Sequence, residues 1–356
     1  MAIDGEHQRA GHMQPERLTI RDIARLAHIS VATAYRVAKG RPDVAPETRT
    51  LVMNVMRDHD FVPNRSEDDL AAGWTGLVGF SVPYVDESYF AVILSGAAEA
   101  LYEQNQRVVL CPTYHQYVRE VTLLDRLLGG TTDGALILLP EQSSAELIRL
   151  QEHGYPFVVI DPRQPLDDGI PSVSATNAAG ARAATDHLLR LGHRRIGLIT
   201  GTPNWVATDE RIEGYRMALT AAGIPFTTDL LAGGDFATGT GHTAAQQLLD
   251  LADPPTAIFA SNDNLAVGTM RAALERGLRI PDELSIVGFD DVVTAGDVFP
   301  PLTTVRQPLA ELGRTAVEML NRLVAGRETE SLHLELATQL VIRASTGPPA
   351  LIRMEA

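Results

Sequence analysis

The sequence predicts an α/β protein: an N-terminal all-α helix-turn-helix head followed by two doubly wound parallel-sheet subdomains. Three observations carry that prediction. From Gly76 onward, short apolar β-branched runs alternate with amphipathic helical segments, the pattern of parallel strands covered on both faces. Ahead of them lie three short helical periods, the first two separated by only three residues, His28-Ile29-Ser30. Charge divides the same way: the 356-residue chain has a formal net charge of −15, yet its first 65 residues hold ten Arg and Lys against fewer acids. A basic head on an acidic body still approaches a polyanion through the head, because exposed charges more than ~10 Å apart are screened at moderate salt.

Residues 1–16 read as a polar tail without the apolar stretch of a signal peptide. Thr19 and Asp22 have the spacing of a capping box, and Ile20, Ile23, Ala24 and Ala27 fall on one face of the first helix. Ser30 is a good N-cap for a second helix, Val31 to Ala38. That helix can pack Thr33, Ala34 and Val37 while exposing Val31, Ala32, Tyr35, Arg36 and Lys39. Pro46 opens a third helix, "PETRTLVMNVMRDHDF", with Leu51, Val52, Val55 and Met56 inward. Three such helices are either a small bundle or a DNA reader. Short side chains at the start of the second helix, with an arginine one turn on, favour the reader: they allow close approach to a groove and reach to a base edge.

In the body, strands are expected at 77–82, 107–111, 135–139, 157–161, 195–200, 256–260 and 285–289, with helices such as 91–105 and 177–192 between them. Open parallel sheets bind ligands at the carboxyl ends of their strands. Asp161 closes "FVVID", Asn262-Asp263 follow "TAIFAS", Asp290-Asp291 follow "SIVGF", Arg211 lies beyond "LITG", and Phe236 sits in "GGDFATG". A single strand-end Asp is more often a helix cap, and Asp263 could simply cap a helix starting at Leu265. Together, carboxylate, guanidinium, amide and ring suit a sugar or polyol, whose vicinal hydroxyls take bidentate bonds.

The blocks "LTIRDIARLAHISVATAYRVAKGRPDVAPETR", "LGHRRIGLITG", "RIEGYRMAL", "AIFASNDNLAVGTMRAALERGLRIPDELSIVGFDD" and "PPLTTVRQP" closely resemble the LacI/GalR family of bacterial transcription repressors. The resemblance covers essentially the whole chain. It implies a headpiece over 17–63, a hinge over 64–75 after "P-N" at Asn64, and a periplasmic-binding-protein-like core over 76–350. It further implies base contacts from Val31, Ala32 and Arg36, phosphate or scaffold roles for Thr19, Ser30, Thr33 and Arg49, and a minor-groove leucine at Leu70. Arg211 and Asp290 match the family's main effector-binding pair. Asp161, Phe236 and Asn262 match common pocket positions, and Tyr84 and Phe90 lie in the variable first loop. The family's three chain crossings place one subdomain at 76–175 plus 307–333, a second at 176–306 plus 334–350, and a tail at 351–356.

Six positions depart from the family pattern. His28 stands where Gly is usual, Tyr35 where a small Ser faces the backbone, and Ala45 where Ser caps the third helix. Glu67, Asp68 and Asp69 put three carboxylates in the hinge, which leaves two readings open: weaker or ligand-dependent DNA binding, or a hinge helix with its acidic face to solvent.

Other functions find little support. No G-x-G-x-x-G follows the first strand, there is no G-x-S-x-G, P-loop or H-E-x-x-H, and "GGDFATGTGH", with Gly239-x-Gly241, reads as a loop. One cysteine, Cys111, excludes an internal disulfide, and the ten His show no metal spacing. A transport-type sugar-binding protein would need an export signal and no DNA-reading helix. The expectation is a cytoplasmic, nucleoid-associated regulator without cofactor, metal or membrane partner. It would bind near-palindromic double-stranded operator DNA as a homodimer, since no heptad tail follows "ATQLVIR", and answer to a small-molecule effector of sugar or oligosaccharide type. Whether that effector is inducer or corepressor is open.

Overall fold

The computed structural model describes residues 18, 20–38, 44–59, 75–126, 131–327 and 331–350. Thr19, Asn64, Leu70 and the acidic hinge positions Glu67, Asp68 and Asp69 lie outside them, as do the side chain of Tyr35 and the 351–356 tail. The chain divides into two compact units at Trp74–Thr75.

The first unit contains α1 (Ile20–Leu26), α2 (Val31–Ala38) and α3 (Pro46–Asp58). Ile23, Ala27, Val37, Val52 and Met56 form its core, with Ile20 and Val55 packed against it. Leu51, expected inward, is instead exposed. With Val52 and Met56 four residues apart facing the core, Leu51 lies to the side of their stripe. Ser30 caps α2: its hydroxyl accepts from the Thr33 backbone N–H at 3.1 Å. Ala45 precedes Pro46 without a side-chain cap bond. His28 has φ 54°, the left-handed conformation that a Cβ disfavours by roughly 1–2 kcal/mol. His28→Gly is therefore expected to raise the headpiece melting temperature by several degrees, corresponding to about 1 kcal/mol, as read by circular dichroism.

The second unit begins with β1 (Leu77–Val82), α4 (Ser88–Glu103), β2 (Arg107–Pro112), α5 (Tyr117–Arg126), β3 (Gly134–Leu138), α6 (Ser144–Glu152), β4 (Phe157–Ile160) and β5 (Ser172–Ala175). It continues with α7 (Asn177–Arg190), β6 (Ile196–Thr200), α8 (Val206–Ala221), β7 (Leu231–Gly233), α9 (Thr238–Leu249), β8 (Ala257–Ala260), α10 (Asp263–Glu275), β9 (Ser285–Asp290) and α11 (Val293–Asp297). Last come β10 (Thr303–Arg306), α12 (Leu309–Val324), β11 (His333–Leu336) and β12 (Gln339–Val341). Two sheets result, ordered β11-β5-β4-β3-β1-β2 and β12-β10-β9-β8-β6-β7. Pairing is parallel apart from β12, which runs antiparallel to β10.

Strands β3, β4, β8 and β9 are buried along their full length, as expected where helices cover both faces. Helices α4 and α12 approach closely enough that a Cβ on Gly96 would lie 1.9 Å from the Ala310 carbonyl oxygen. Because β11 joins β5, the last crossing falls between Leu336 and Gln339 and not at 333/334. The Gly239-x-Gly241 run lies inside α9 and not in a loop. A Cβ on Gly241 would meet the Leu265 carbonyl oxygen at 2.2 Å, so the glycine serves helix packing. Among the described residues, no helix is long and apolar enough to cross a membrane, and no group of three His, Cys, Asp or Glu could hold a metal ion.

In each sheet the strand order reverses beside the first strand: β2-β1-β3 in one, β7-β6-β8 in the other. Crevices at such switch points, beyond the carboxyl ends of the strands, are where doubly wound folds bind ligands.

Candidate functional site

On the first unit, α2 presents Val31, Ala32 and Arg36 as exposed residues, while Ala34 and Val37 on its opposite side are buried. The Ser30 and Thr33 hydroxyls bond each other at 2.8 Å, which fixes the N-terminal turn of the helix. Arg49 lies partly exposed in the first turn of α3. A helix with a small-residue N-terminal face and one arginine a turn later can enter a major groove by that end.

In the second unit, a cavity of about 570 Å³ opens between the two sheets. Its wall contains Tyr84, Phe90, Asp161, Arg211, Phe236, Asn262 and Asp290, so the structure brings together all seven core residues singled out from the sequence. Each stands at or beyond a strand's carboxyl end, except Phe90 and Arg211, which helices α4 and α8 carry in. Asp161 follows β4 instead of closing it, and takes φ 50°. That turns its carboxylate back to accept from the Tyr89 hydroxyl at 2.6 Å.

Arg211 is the electrostatic centre. Its Nε donates to Asn177 Oδ1 at 3.0 Å, and Nη1 to the Ser261 carbonyl at 2.5 Å. The guanidinium carbon lies 3.9 Å from the Phe289 ring centroid. Nη2 is 3.9 Å from Asp290 Oδ1, an ion pair without a hydrogen bond, while that carboxylate oxygen accepts from Gln307 Nε2 at 2.7 Å. Burial pushes Asp290 up to about 7, against the pull of Arg211. Burial likewise raises Asp161, opposed by the Tyr89 hydrogen bond and Arg211. A carboxyl group poised near neutrality can donate to one ligand hydroxyl or accept from another.

Asn262 caps α10: its Oδ1 accepts from the Leu265 N–H at 2.8 Å, and its Nδ2 donates to the Phe236 carbonyl at 3.2 Å. Asp263 is therefore not the cap. It is the buried first residue of α10, accepting from Thr304 Oγ1 at 2.6 Å and from the Val292 N–H at 2.9 Å. Phe236 packs the tip of its ring against Gly201. A Cβ at Gly201 would fall 2.0 Å from the ring, so only glycine there admits it.

Several wall residues carry no periodic signal: Asp86, Glu87, Tyr89, His115, Thr202, Trp205 and Asp235. Trp205 is 5.6 Å from the Phe236 ring, and Tyr84 sits edge-on to His115 at 4.9 Å. All but Tyr89, in the first turn of α4, lie in the loops after β1, β2, β6 and β7, so collecting every residue beyond a strand end would have found them. Aromatic side chains from both subdomains, together with buried polar groups, line the cavity, a combination that suits a hydroxyl-bearing ligand.

The sequence profile of bacterial regulatory proteins of the lacI family matches residues 19–64, and that of the periplasmic binding protein-like domain matches residues 185–346. The regulator CelR of Thermobifida fusca is 34% identical over 92% of this chain and 98% of its own length. The repressor CytR of Escherichia coli K12 is 31% identical over 94% and 97%. Among solved structures, a CelR–cellobiose complex has 33% identity and a TM-score of 0.72, covering 92% of this chain and all of that one. The lac repressor dimer bound to operator and an anti-inducer has 28% identity and a TM-score of 0.73, covering 93% of this chain and all of that one. A DNA-reading head, a cleft between two doubly wound sheets and relatives that match both along nearly their whole length lead to one conclusion: the chain belongs to the lacI family of bacterial regulatory proteins and is a DNA-binding transcriptional regulator.

Proposed function

We propose that the protein is a cytoplasmic, non-enzymatic repressor that binds a near-palindromic operator as a homodimer. Its operator affinity is set by an uncharged sugar or oligosaccharide held in the cavity between the two sheets. Val31, Ala32 and Arg36 read base edges in this account, with Ser30, Thr33 and Arg49 at phosphates or supporting the helix. The observation that carries the effector reading is the cavity lining, where Arg211, Asp290 and Asp161 share one wall with Trp205, Phe236, Tyr84 and Phe90.

Charge narrows the ligand class. Among the described residues of the wall, five carboxylates (Asp86, Glu87, Asp161, Asp235 and Asp290) line the cavity with a single guanidinium, Arg211, two of whose N–H donors are committed to Asn177 and Ser261. Bringing a phosphate or uronate into that field sets like charges against each other at low dielectric. A neutral polyol meets no such penalty and can pair its hydroxyls with the same carboxylates.

The relative seen with cellobiose makes that disaccharide the first probe. Titration calorimetry with cellobiose, other neutral disaccharides and pentoses is expected to find a ligand in the micromolar range. The phosphorylated or uronic counterpart of any hit is expected to bind at least about 100-fold more weakly. Preference for the anionic counterpart would reject this reading of the cavity.

A further inference from the structure

Arg163 does not line the cavity, yet it touches the groups that shape it from both subdomains. It follows β4, is buried, and pairs with Glu141 of the loop after β3 and with His115 Nδ1 of the loop after β2. Across the cleft, its guanidinium carbon lies 4.5 Å from the centroid of the Trp205 ring. Its carbonyl accepts from the Val206 N–H, the first residue of α8, at 2.8 Å. Helix α8 is the helix that carries Arg211. Trp205, although borne by the second subdomain, packs against the hydrophobic core of the first.

We propose that Arg163 is a positioning residue for effector binding, which clamps Trp205 as a stacking platform across the cleft while Glu141 and His115 hold its own guanidinium. The inference rests on the effector reading above and adds a residue outside the pocket wall. The physics is that of a cation over an indole face, an attraction that grows when both partners are shielded from water. A ring fixed before the ligand arrives loses less rotational freedom on stacking. The planar fork matters too, since arginine bonds Glu141 and His115 while lying on the ring, and lysine offers a point charge instead.

The groups facing Arg163 supply charge as well. Glu120 of α5 is buried and accepts from the Glu141 N–H at 3.1 Å, and burial pushes it up to about 7. His115 is held below its usual range by burial and by Arg163 itself, against the opposing pull of Glu141. Above neutrality the cluster therefore gains a second anion beside Arg163 without a second cation.

The test uses the full chain. It contains two tryptophans, Trp74 and Trp205, so Trp74→Phe leaves Trp205 as the sole emitter. In that background Arg163→Gln is expected to shift Trp205 emission and raise its quenching by acrylamide roughly twofold, with Arg163→Lys between wild type and Gln. Cellobiose affinity, or that of the neutral sugar found to bind, is expected to fall about tenfold in Arg163→Gln. It should fall no further when the substitution is added to Trp205→Leu, because the arginine acts through the ring. Unchanged Trp205 emission and quenching in both Arg163 variants would overturn the proposal, as would full additivity with Trp205→Leu. The emission arm needs no ligand, so failure of every sugar to bind wild type refutes the effector reading and leaves the Arg163 inference separately decided.

Discussion

Arg211→Ala is expected to abolish the effector response while operator affinity without effector stays within about twofold of wild type, because the substituted site is remote from the DNA-reading helix in sequence and structural unit. The arginine is buried with two of its donors committed to Asn177 and Ser261. It also offsets the buried carboxyls of Asp290 and Asp161. Removing one partner from a buried ionic network costs about 3–5 kcal/mol. Here the loss falls toward the lower end, since Asp290 titrates near 7 and can take up a proton instead of remaining an unpaired anion. Effector affinity is expected to drop by at least about 100-fold, some 2.7 kcal/mol, by calorimetry. Arg211→Lys, which restores charge without the fork, should recover stability more than affinity. An Arg211→Ala titration superimposable on wild type would mean that the effector binds elsewhere.

Arg36→Ala should produce the complementary phenotype. Effector affinity is unchanged, and operator affinity falls about 5- to 150-fold, corresponding to about 1–3 kcal/mol for one good base contact. Arg36 is exposed on α2, one turn beyond Val31 and Ala32. The helix they occupy is fixed by the Ser30 cap and by burial of Ala34 and Val37, so the loss is not one of folding. A base contact and a phosphate contact are separable. Loss of a base contact relaxes preference at one operator position, whereas loss of a phosphate contact weakens all sequences alike and reduces the salt slope by about one. Anisotropy titrations against an operator and its single-base variants, at several salt concentrations, distinguish them. Uniform weakening with a shallower slope would move Arg36 from base reader to phosphate contact.

The parts of this structure legible in the sequence were those where one physical requirement dominates. Strands such as "ALILL" and "SIVGF" sit between helices on both faces, and burial on both sides writes a continuous apolar run. Strands β5, β7 and β10 escaped because they are short and small or polar. In β10, Thr303 and Thr304 are fully buried, but their hydroxyls are satisfied by partners distant in sequence, as in the bond from Thr304 to Asp263. No local pattern shows that. Strand β11 escaped because His333 and Glu335 are exposed at the sheet edge.

The candidate site divides similarly. Asp161, Asn262 and Asp290 were visible because parallel strands deliver their next residue to the cleft. Tyr89 reaches it from the first turn of α4, and His115 and Trp205 reach it through loop conformation, including φ 52° at His115, and through contact between subdomains, none of which leaves a periodic trace. Trp205 had one usable signal: a rare indole in the loop just beyond a strand end.

The most direct measurement of the central claim is a titration of fluorescent operator DNA with the full-length protein, repeated at saturating concentration of the neutral sugar that binds the cavity. The account predicts a change in operator affinity of about 5- to 150-fold, in the range of ordinary allosteric coupling, and the same factor in sugar affinity when operator is present first. It also predicts that Arg211→Ala reduces that factor to one. A sugar that binds the wild-type cavity tightly and leaves operator affinity unchanged would contradict it.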